Sequence, residues 1–532
     1  MVNALHNSLI WRVLAAIGGF ISRIFQSSLF VQGLLRWWKN SCTHRFLVEH
    51  LSKDAVWSAK AGITKLAYQC NNWLSNVRFP LTWFRNSISG KIYAAVFRWG
   101  SSSNLLGWMF RRGFTGIILT ALALYCGVDF VLRDVLSISA LASVWDEGLL
   151  LVSLLWIIRL RMDRETPIGS RMNPLDLPIL GFMVLGFWLM NTIFDYYSIS
   201  IAGYRATVQY MLWFFVVTRL LRDDKDFMVL YYGMVALATI IAIHGVYQYI
   251  VAVPIPSNWT DQAEQSVRTR VFSIFGSPNI MADYMVMFAP MSAGLAYYLK
   301  KPWQKVLAWV CTFLMCFGCL FTMSRAGWMA MAIAVVVFCL IVDKRLFGLI
   351  AAAGIGACFL PFVASRIGYL FTEQFAESTV RGGRSGRWHY GLNYLKESGH
   401  PWLGLGLGMF GGAIAVQNKI IDQWDYFYMD NYYLKMMAEM GYLGFAAFVI
   451  LLIFLVVVAC KCIFRAKEIA KPEHSDSMKT LAAGMFAGIC GVLMHCYFEN
   501  IFEEPYMMAY FWIMAAMIIY IGFLRPKAQN TN

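Results

Sequence analysis

YLGFAAFVILLIFLVVVAC, residues 442–460, runs nineteen residues without a charge and decides the class of fold. A helix needs about twenty apolar residues to cross a bilayer. The rest of the chain is built to the same rule. Of 532 residues, 59% are hydrophobic and 14% charged, and the mean hydropathy is +0.56. A soluble core cannot absorb that much apolar side chain, so the composition indicates an all-α, polytopic integral membrane protein.

Working outward from that stretch, apolar windows of roughly twenty residues predict about twelve transmembrane helices. They fall near 114–132, 139–159, 175–193, 203–221, 227–252, 279–298, 305–322, 327–342, 347–364, 442–460, 480–499 and 506–524. The second carries Asp146 and Glu147. Under strict alternation Arg159, Arg161, Arg164 and Arg171, then Lys300, Lys301 and Lys305, Lys344 and Arg345, Lys461, Arg465 and Lys467, and Arg525 and Lys527 share one side. The positive-inside rule makes that side cytoplasmic. Both termini are then expected in the cytoplasm, the tail being 525–532, with a large outer loop, 365–429, before the tenth span.

Residues 1–113 form a separate segment. They hold 14 Lys and Arg against Glu49 and Asp54, a net of +12 out of the chain's +15. Basic and aromatic residues interleave, as in GKIYAAVFRWGSSSNLLGWMFRR, without an uninterrupted spanning window. This pattern predicts in-plane amphipathic helices on the anionic lipids of the inner leaflet. The aromatic content suits a lipid interface rather than nucleic acid. No small-residue cleavage site follows a basic start, so the N-terminus is expected to be retained. The twelve cysteines avoid the outer loop and sit largely in apolar helices, which argues for packing rather than disulfides or metal.

Three strings place charge at the mouths of apolar helices on the outer side. They are TRVFSIFGSPNIMADY (269–284), TMSRAGWMA (322–330) and MDNYYLKMMAEMGYLG (429–444). Charge at a bilayer rim is costly unless it pairs or binds something. Arg270, Arg325 and Arg205 lie near such mouths, with Arg381, Arg384 and Arg387 three apart in the outer loop. Guanidinium forks suit phosphate oxygens. For any single arginine, snorkelling or a helix-end cap is the competing explanation. Asp430 is the best-placed outer carboxylate for accepting a proton, or else an N-cap. His389 and His400 are alternative bases or plain loop residues, and Glu439 is expected to pair with a loop arginine. His244 and His495 read as hydrogen-bonded packing residues. The glycine run GLGLGMFGG (404–412) invites a phosphate-cradle reading, but no βαβ context surrounds it, so tight turns are expected. No cluster has metal-ligand spacing.

Taken together, FGSPNIMADYM, SRAGWMAMAI, GRWHYGLNYLKESGHPWLGLGLGMFG and DNYYLKMMAEMGYLGF resemble the O-antigen ligase/O-antigen polymerase superfamily of bacterial membrane glycosyltransferases. The resemblance covers about 269–459 and leaves out the first 113 residues. It implies a glycan carried on undecaprenyl diphosphate and passed to the sugar hydroxyl of an acceptor glycan or glycolipid. Transfer would occur at the outer face of the cytoplasmic membrane, with no cofactor and no metal. Arg270 and Arg325 would hold the diphosphate, with Asn279 and Asn431 in the same motifs. Members of the family usually carry histidine where this chain has Asp430, which leaves the base open between Asp430, His389 and His400. Ligase and polymerase are equally compatible with these motifs. A secondary transporter of a small anionic solute is the competing class.

Overall fold

A computed structural model describes residues 82–103, 106–162, 171–192, 196–255, 269–344, 346–369, 371–373, 383–420, 428–469 and 475–525, with isolated positions before 82. Among them the regular structure is helical, with one isolated bridge between Gly411 and Tyr428. In chain order, the helices used below are α1 (Ile88–Ser102), α2 (Phe114–Ala123), α3 (Tyr125–Phe130), α4 (Trp145–Met162), α5 (Asp176–Met190), α6 (Tyr197–Val208), α7 (Leu212–Leu220) and α8 (Asp224–Val251). They continue with α9 (Pro278–Tyr298), α10 (Pro302–Phe321), α11 (Arg325–Ile341), α12 (Leu346–Cys358), α13 (Arg384–Glu397), α14 (Tyr432–Ile469), α15 (Ser475–His495) and α16 (Pro505–Ile519).

Five helical stretches are long and apolar enough to cross a membrane: Asp224–Val251, Pro302–Phe321, Tyr432–Ile463, Met478–His495 and Pro505–Leu524. The protein is therefore a multi-pass, all-helical membrane protein. Most of the other apolar windows fall on helix that is shorter or broken, whereas α9 runs 21 residues. α5 and α11 have 15 and 17 residues. The first window bends by 77° between α2 and α3. The fourth divides into α6 and α7 around a 3-10 turn at Gln209–Met211. The eleventh stops at His495 rather than continuing to 499.

The centre of the bundle is α9 against α15 and α16. Small residues make this possible, because two helices in lipid gain contact only as their backbones close up. A Cβ added at Gly488 would stand 2.3 Å from the Met287 carbonyl oxygen, and one at Gly484 2.4 Å from that of Pro290. α16 is buried over 89% of its span and α10 over only 28%, so the core is α16 and the rim is α10. With 21 residues, α9 is about 31 Å long at ~1.5 Å per residue, and its two ends mark the two ends of the bundle.

In the N-terminal segment, α1 turns Tyr93, Phe97 and Gly100 toward the residues leading into α2. Tyr93 Oη accepts from the Phe114 backbone N–H at 3.3 Å, and Phe97 meets Phe110 edge-on. Ile88, Ile92, Val96 and Trp99 form an exposed apolar stripe on its other side.

The stretch 365–429, expected as a loop, is not plain loop where it is described. It contains α13 and the glycine run, whose Gly404, Gly406, Gly408 and Gly411 all take positive φ. α14 breaks at Gly441, where φ is +67°. The run packs into that break. Leu405 N donates to Ala438 O at 2.8 Å and Gly406 N to Glu439 O at 3.0 Å. The glycines thus serve the carbonyls freed by a helix kink, and a Cβ at Gly404 would meet Glu439 O at 2.4 Å.

Candidate functional site

α9 and α11 start side by side. Ser277 caps α9, accepting from Ile280 N at 3.4 Å, with Pro278 as its first residue. Ser324 caps α11, accepting from Gly327 N at 3.3 Å. These are favoured residues at those positions. Gly327 lets the first turns touch, since a Cβ there would lie 2.5 Å from the Ala282 Cβ. Two helix N-termini thus converge and add partial positive charge to one mouth.

Arginines occupy that mouth. Val271 N donates to Phe321 O at 3.2 Å, which lays the 269–271 segment along the end of α10. Arg270 is only 9% exposed; its Nε donates to Thr322 O at 3.1 Å and its Nη2 to Asn279 Oδ1 at 3.4 Å. Arg325 opens α11 immediately after Met323, which holds a positive φ of 55° in the connecting turn. Burial, and then the neighbouring Arg325 charge, lower the Arg270 pKa to about 10, while Glu499 acts the other way.

Asn279 connects this pair to a carboxylate. Its Nδ2 donates to Glu499 Oε2 at 2.7 Å. Glu499 lies in the turn after α15, where its backbone N–H still reaches His495 O at 3.1 Å. The same turn meets α13 on its other side: Trp388 packs edge-on to Tyr497 at 5.3 Å, and the Arg384 guanidinium stands 5.9 Å from the Phe498 ring centre. From α13, Arg384 Nε reaches Asp430 Oδ2 at 3.4 Å and Arg387 donates to the same oxygen. One network therefore joins 270, 279, 325, 384, 387, 430 and 499. Burial raises the Asp430 carboxyl despite Arg387 and Arg384, and burial followed by the Asp430 charge raises Glu499.

Several expectations change here. Asp430 does not cap α14. Asn431 does, its Oδ1 accepting from Leu434 N at 3.1 Å, and its Nδ2 is buried with no hydrogen-bond partner among the described residues. Glu439 meets Lys435 one turn away on its own helix at 3.4 Å, not a loop arginine, and Lys435 also holds Glu503 at 2.9 Å. Arg205 pairs with Glu147 and reaches Gln209 Oε1 at 3.2 Å, outside the network's hydrogen bonds. His389 is exposed. Two positions beyond Arg387 turns it about 200° round the helix from the face that meets Asp430. His400 Nδ1 contacts Gly404 O at 2.8 Å. Arg381 lies outside the described residues. His244 and His495 do engage hydrogen bonds, with Ser273 Oγ at 2.9 Å and Asp283 Oδ1 at 2.6 Å. Among the described residues no three His, Cys, Asp or Glu side chains gather as metal ligands.

Sequence reasoning missed Glu499 as part of the site. The available signal was a carboxylate at the mouth of an apolar helix, the same signal that singled out the arginines.

Chemically, the network offers guanidinium and amide donors beside two carboxylates. It suits an anion with several oxygens and a neighbouring group that releases a proton. No curated protein matches the chain. Residues 310–449 match the profile of a family described as O-Antigen ligase, a stretch from within α10 to within α14 that contains Arg325, Arg384, Arg387 and Asp430. Residues 310–449 are thus similar to the O-antigen ligase family, and this similarity supports a role in cell-surface polysaccharide biosynthesis.

Proposed function

We propose that the chain is a metal-independent membrane glycosyltransferase. It moves a glycan from undecaprenyl diphosphate to an acceptor sugar hydroxyl at the outer face of the bacterial cytoplasmic membrane, as a ligase or a polymerase. The acceptor oxygen attacks the anomeric carbon, the bond from that carbon to the diphosphate oxygen breaks, and the diphosphate leaves with the electron pair. The observation that carries this reading is the placement of Arg270 beside Arg325 at the joined mouths of α9 and α11. Like charges held together by a buried scaffold are costly alone and favourable when an anion arrives between them. Donors aimed where negative charge develops lower the barrier to departure.

Asn279 and Arg270 form the donor side. α13 brings Arg384 and Arg387 over the other side, onto Asp430 next to Asn431. Arg381, three positions before Arg384 in the sequence, and Arg205 are proposed as further substrate contacts. Asp430 holds two guanidiniums, so on this reading it first positions α13. A transporter would place its charges near the bilayer midplane between repeats, whereas these lie at helix ends. Twelve crossings with both termini cytoplasmic complete the proposal, and residues 1–113 rest on the inner leaflet.

The test uses protein reconstituted in lipid with labelled undecaprenyl-diphosphate glycan and envelope acceptors. Label should move from lipid to acceptor in the wild type and fail to do so in Arg325→Ala. Intact donor binding with no transfer to any acceptor would overturn the proposal.

A further inference from the structure

Glycosyl transfer to a hydroxyl needs a group to take the hydroxyl proton, and the site holds two carboxylates that differ in their partners. Asp430 Oδ2 faces two guanidiniums, from Arg384 and Arg387. Glu499 is instead met by neutral donors, the Asn279 amide at 2.7 Å and the Asn500 backbone N–H at 3.4 Å. The two guanidiniums offset part of the burial that raises Asp430 and occupy the oxygen that a proton would have to reach. A carboxylate held by amides keeps its basicity and a fixed orientation.

Position favours Glu499 as well. Asn279 accepts from Arg270 with its Oδ1 and donates to Glu499 with its Nδ2, so one side chain spaces the donor clamp from the carboxylate. One turn deeper on the same two elements, Asp283 of α9 holds His495 of α15 at 2.6 Å. Asn279 and Asp283 are four apart, as are His495 and Glu499, so two contacts stack as rungs of a ladder between α9 and the end of α15. The lower rung is almost wholly buried, with His495 1% and Asp283 0% exposed. It gives the upper rung a rigid base. Arg270, Arg384, Asp430, His495 and Tyr428 are the charged or titratable groups whose fields reach Glu499. Glu499 lies outside residues 310–449, which match the family profile.

We propose that Glu499 is the general base, with Asn279 and the Asp283–His495 pair as positioning residues. Glu499 takes the acceptor hydroxyl proton as the oxygen–carbon bond forms, and the diphosphate departs carrying its bonding electrons. This rests on the glycosyl transfer reading above.

The experiment compares wild type, Glu499→Gln, Glu499→Asp and Asp430→Asn in lipid, scoring binding of undecaprenyl diphosphate and single-turnover transfer. Glu499→Gln is isosteric and keeps the acceptor for Asn279. It should bind undecaprenyl diphosphate within about threefold of wild type and transfer at least ~100-fold more slowly, the usual range for loss of a general base. Glu499→Asp should recover part of that rate. Asp430→Asn should lose less than Glu499→Gln, and its acid limb should move to lower pH, because the Asp430 charge is one cause of the raised Glu499 carboxyl. Transfer by Glu499→Gln within threefold of wild type would overturn the assignment, as would an acid limb unmoved in Asp430→Asn. No transfer by wild type with donor bound would instead sink the glycosyl transfer reading, and this inference with it.

Discussion

At the Tyr298 end of α9, four arginines meet four aspartates. Arg112 and Arg222 hold Asp223 and Asp226, Arg219 holds Asp176 at 2.7 Å, and Arg525 holds Asp224 at 2.5 Å. At the Pro278 end, Arg270 lies against Arg325, and Arg384 and Arg387 share Asp430. Both ends are rich in guanidinium, yet at the first each of these four aspartates is held by an arginine. Its pairs tie α5, α7 and α8 to the chain before α2, through Arg112, and to the chain after α16, through Arg525. Balanced pairs fix structure, whereas like charges held adjacent mark a place for an anion.

Substitutions at the two ends should therefore fail differently. Arg325→Ala should slow transfer by roughly 100- to 1,000-fold, the range for removing one donor to a developing negative charge, while leaving the melting temperature close to wild type. At the balanced end, Asp226 is fully buried between Arg112 and Arg222. Asp226→Asn should cost on the order of 3 kcal/mol, as expected when a buried pair loses one partner. Thermal unfolding would show this loss, and transfer per folded molecule should be spared. An Asp226→Asn protein with normal stability and lost transfer would erase the contrast between the ends.

Smaller effects sharpen it. Arg387→Ala should cut transfer about tenfold by releasing α13, as expected when a positioning contact away from the reacting bond is lost. The pH profile should show an acid limb above the ordinary carboxylate range of about 4, since Asp430 and Glu499 are both raised by burial. A carboxylate that must be ionised is active above its pKa and is lost as pH falls through it. Arg384→Ala removes a charge that lowers both groups, so the limb should shift to higher pH. A limb that stays in place would mean that neither carboxylate carries the proton.

Much of the fold was legible because apolar length is a strong signal, and each apolar window contains helix. The breaks were not legible. The 77° bend between α2 and α3 is marked by no proline or glycine at Leu124; the Tyr510 hydroxyl, far away in sequence, meets both sides of it, donating to Ala123 O at 3.0 Å and accepting from Cys126 N at 3.3 Å. The turn between α6 and α7 likewise falls inside an apolar run. At the site, Arg270 and Arg325 were legible because a guanidinium at a helix mouth stands out against apolar sequence. His389 was overrated because the outer loop was read as loop. Once 384–397 is helical, Arg384, Arg387, Gly391 and Leu395 share the inward side and His389 does not. Glu499 was overlooked because it arrives from the far end of the chain, beside a tyrosine–phenylalanine pair with no motif of its own.

The most direct test of the central claim is equilibrium binding of undecaprenyl diphosphate, set against undecaprenyl monophosphate, to wild type, Arg270→Ala and Arg325→Ala in the same lipid. The Arg270–Arg325 pair as a diphosphate clamp predicts that wild type prefers the diphosphate and that either substitution removes most of that preference. Equal affinity of the wild type for both lipids, or a preference surviving both substitutions, would contradict it.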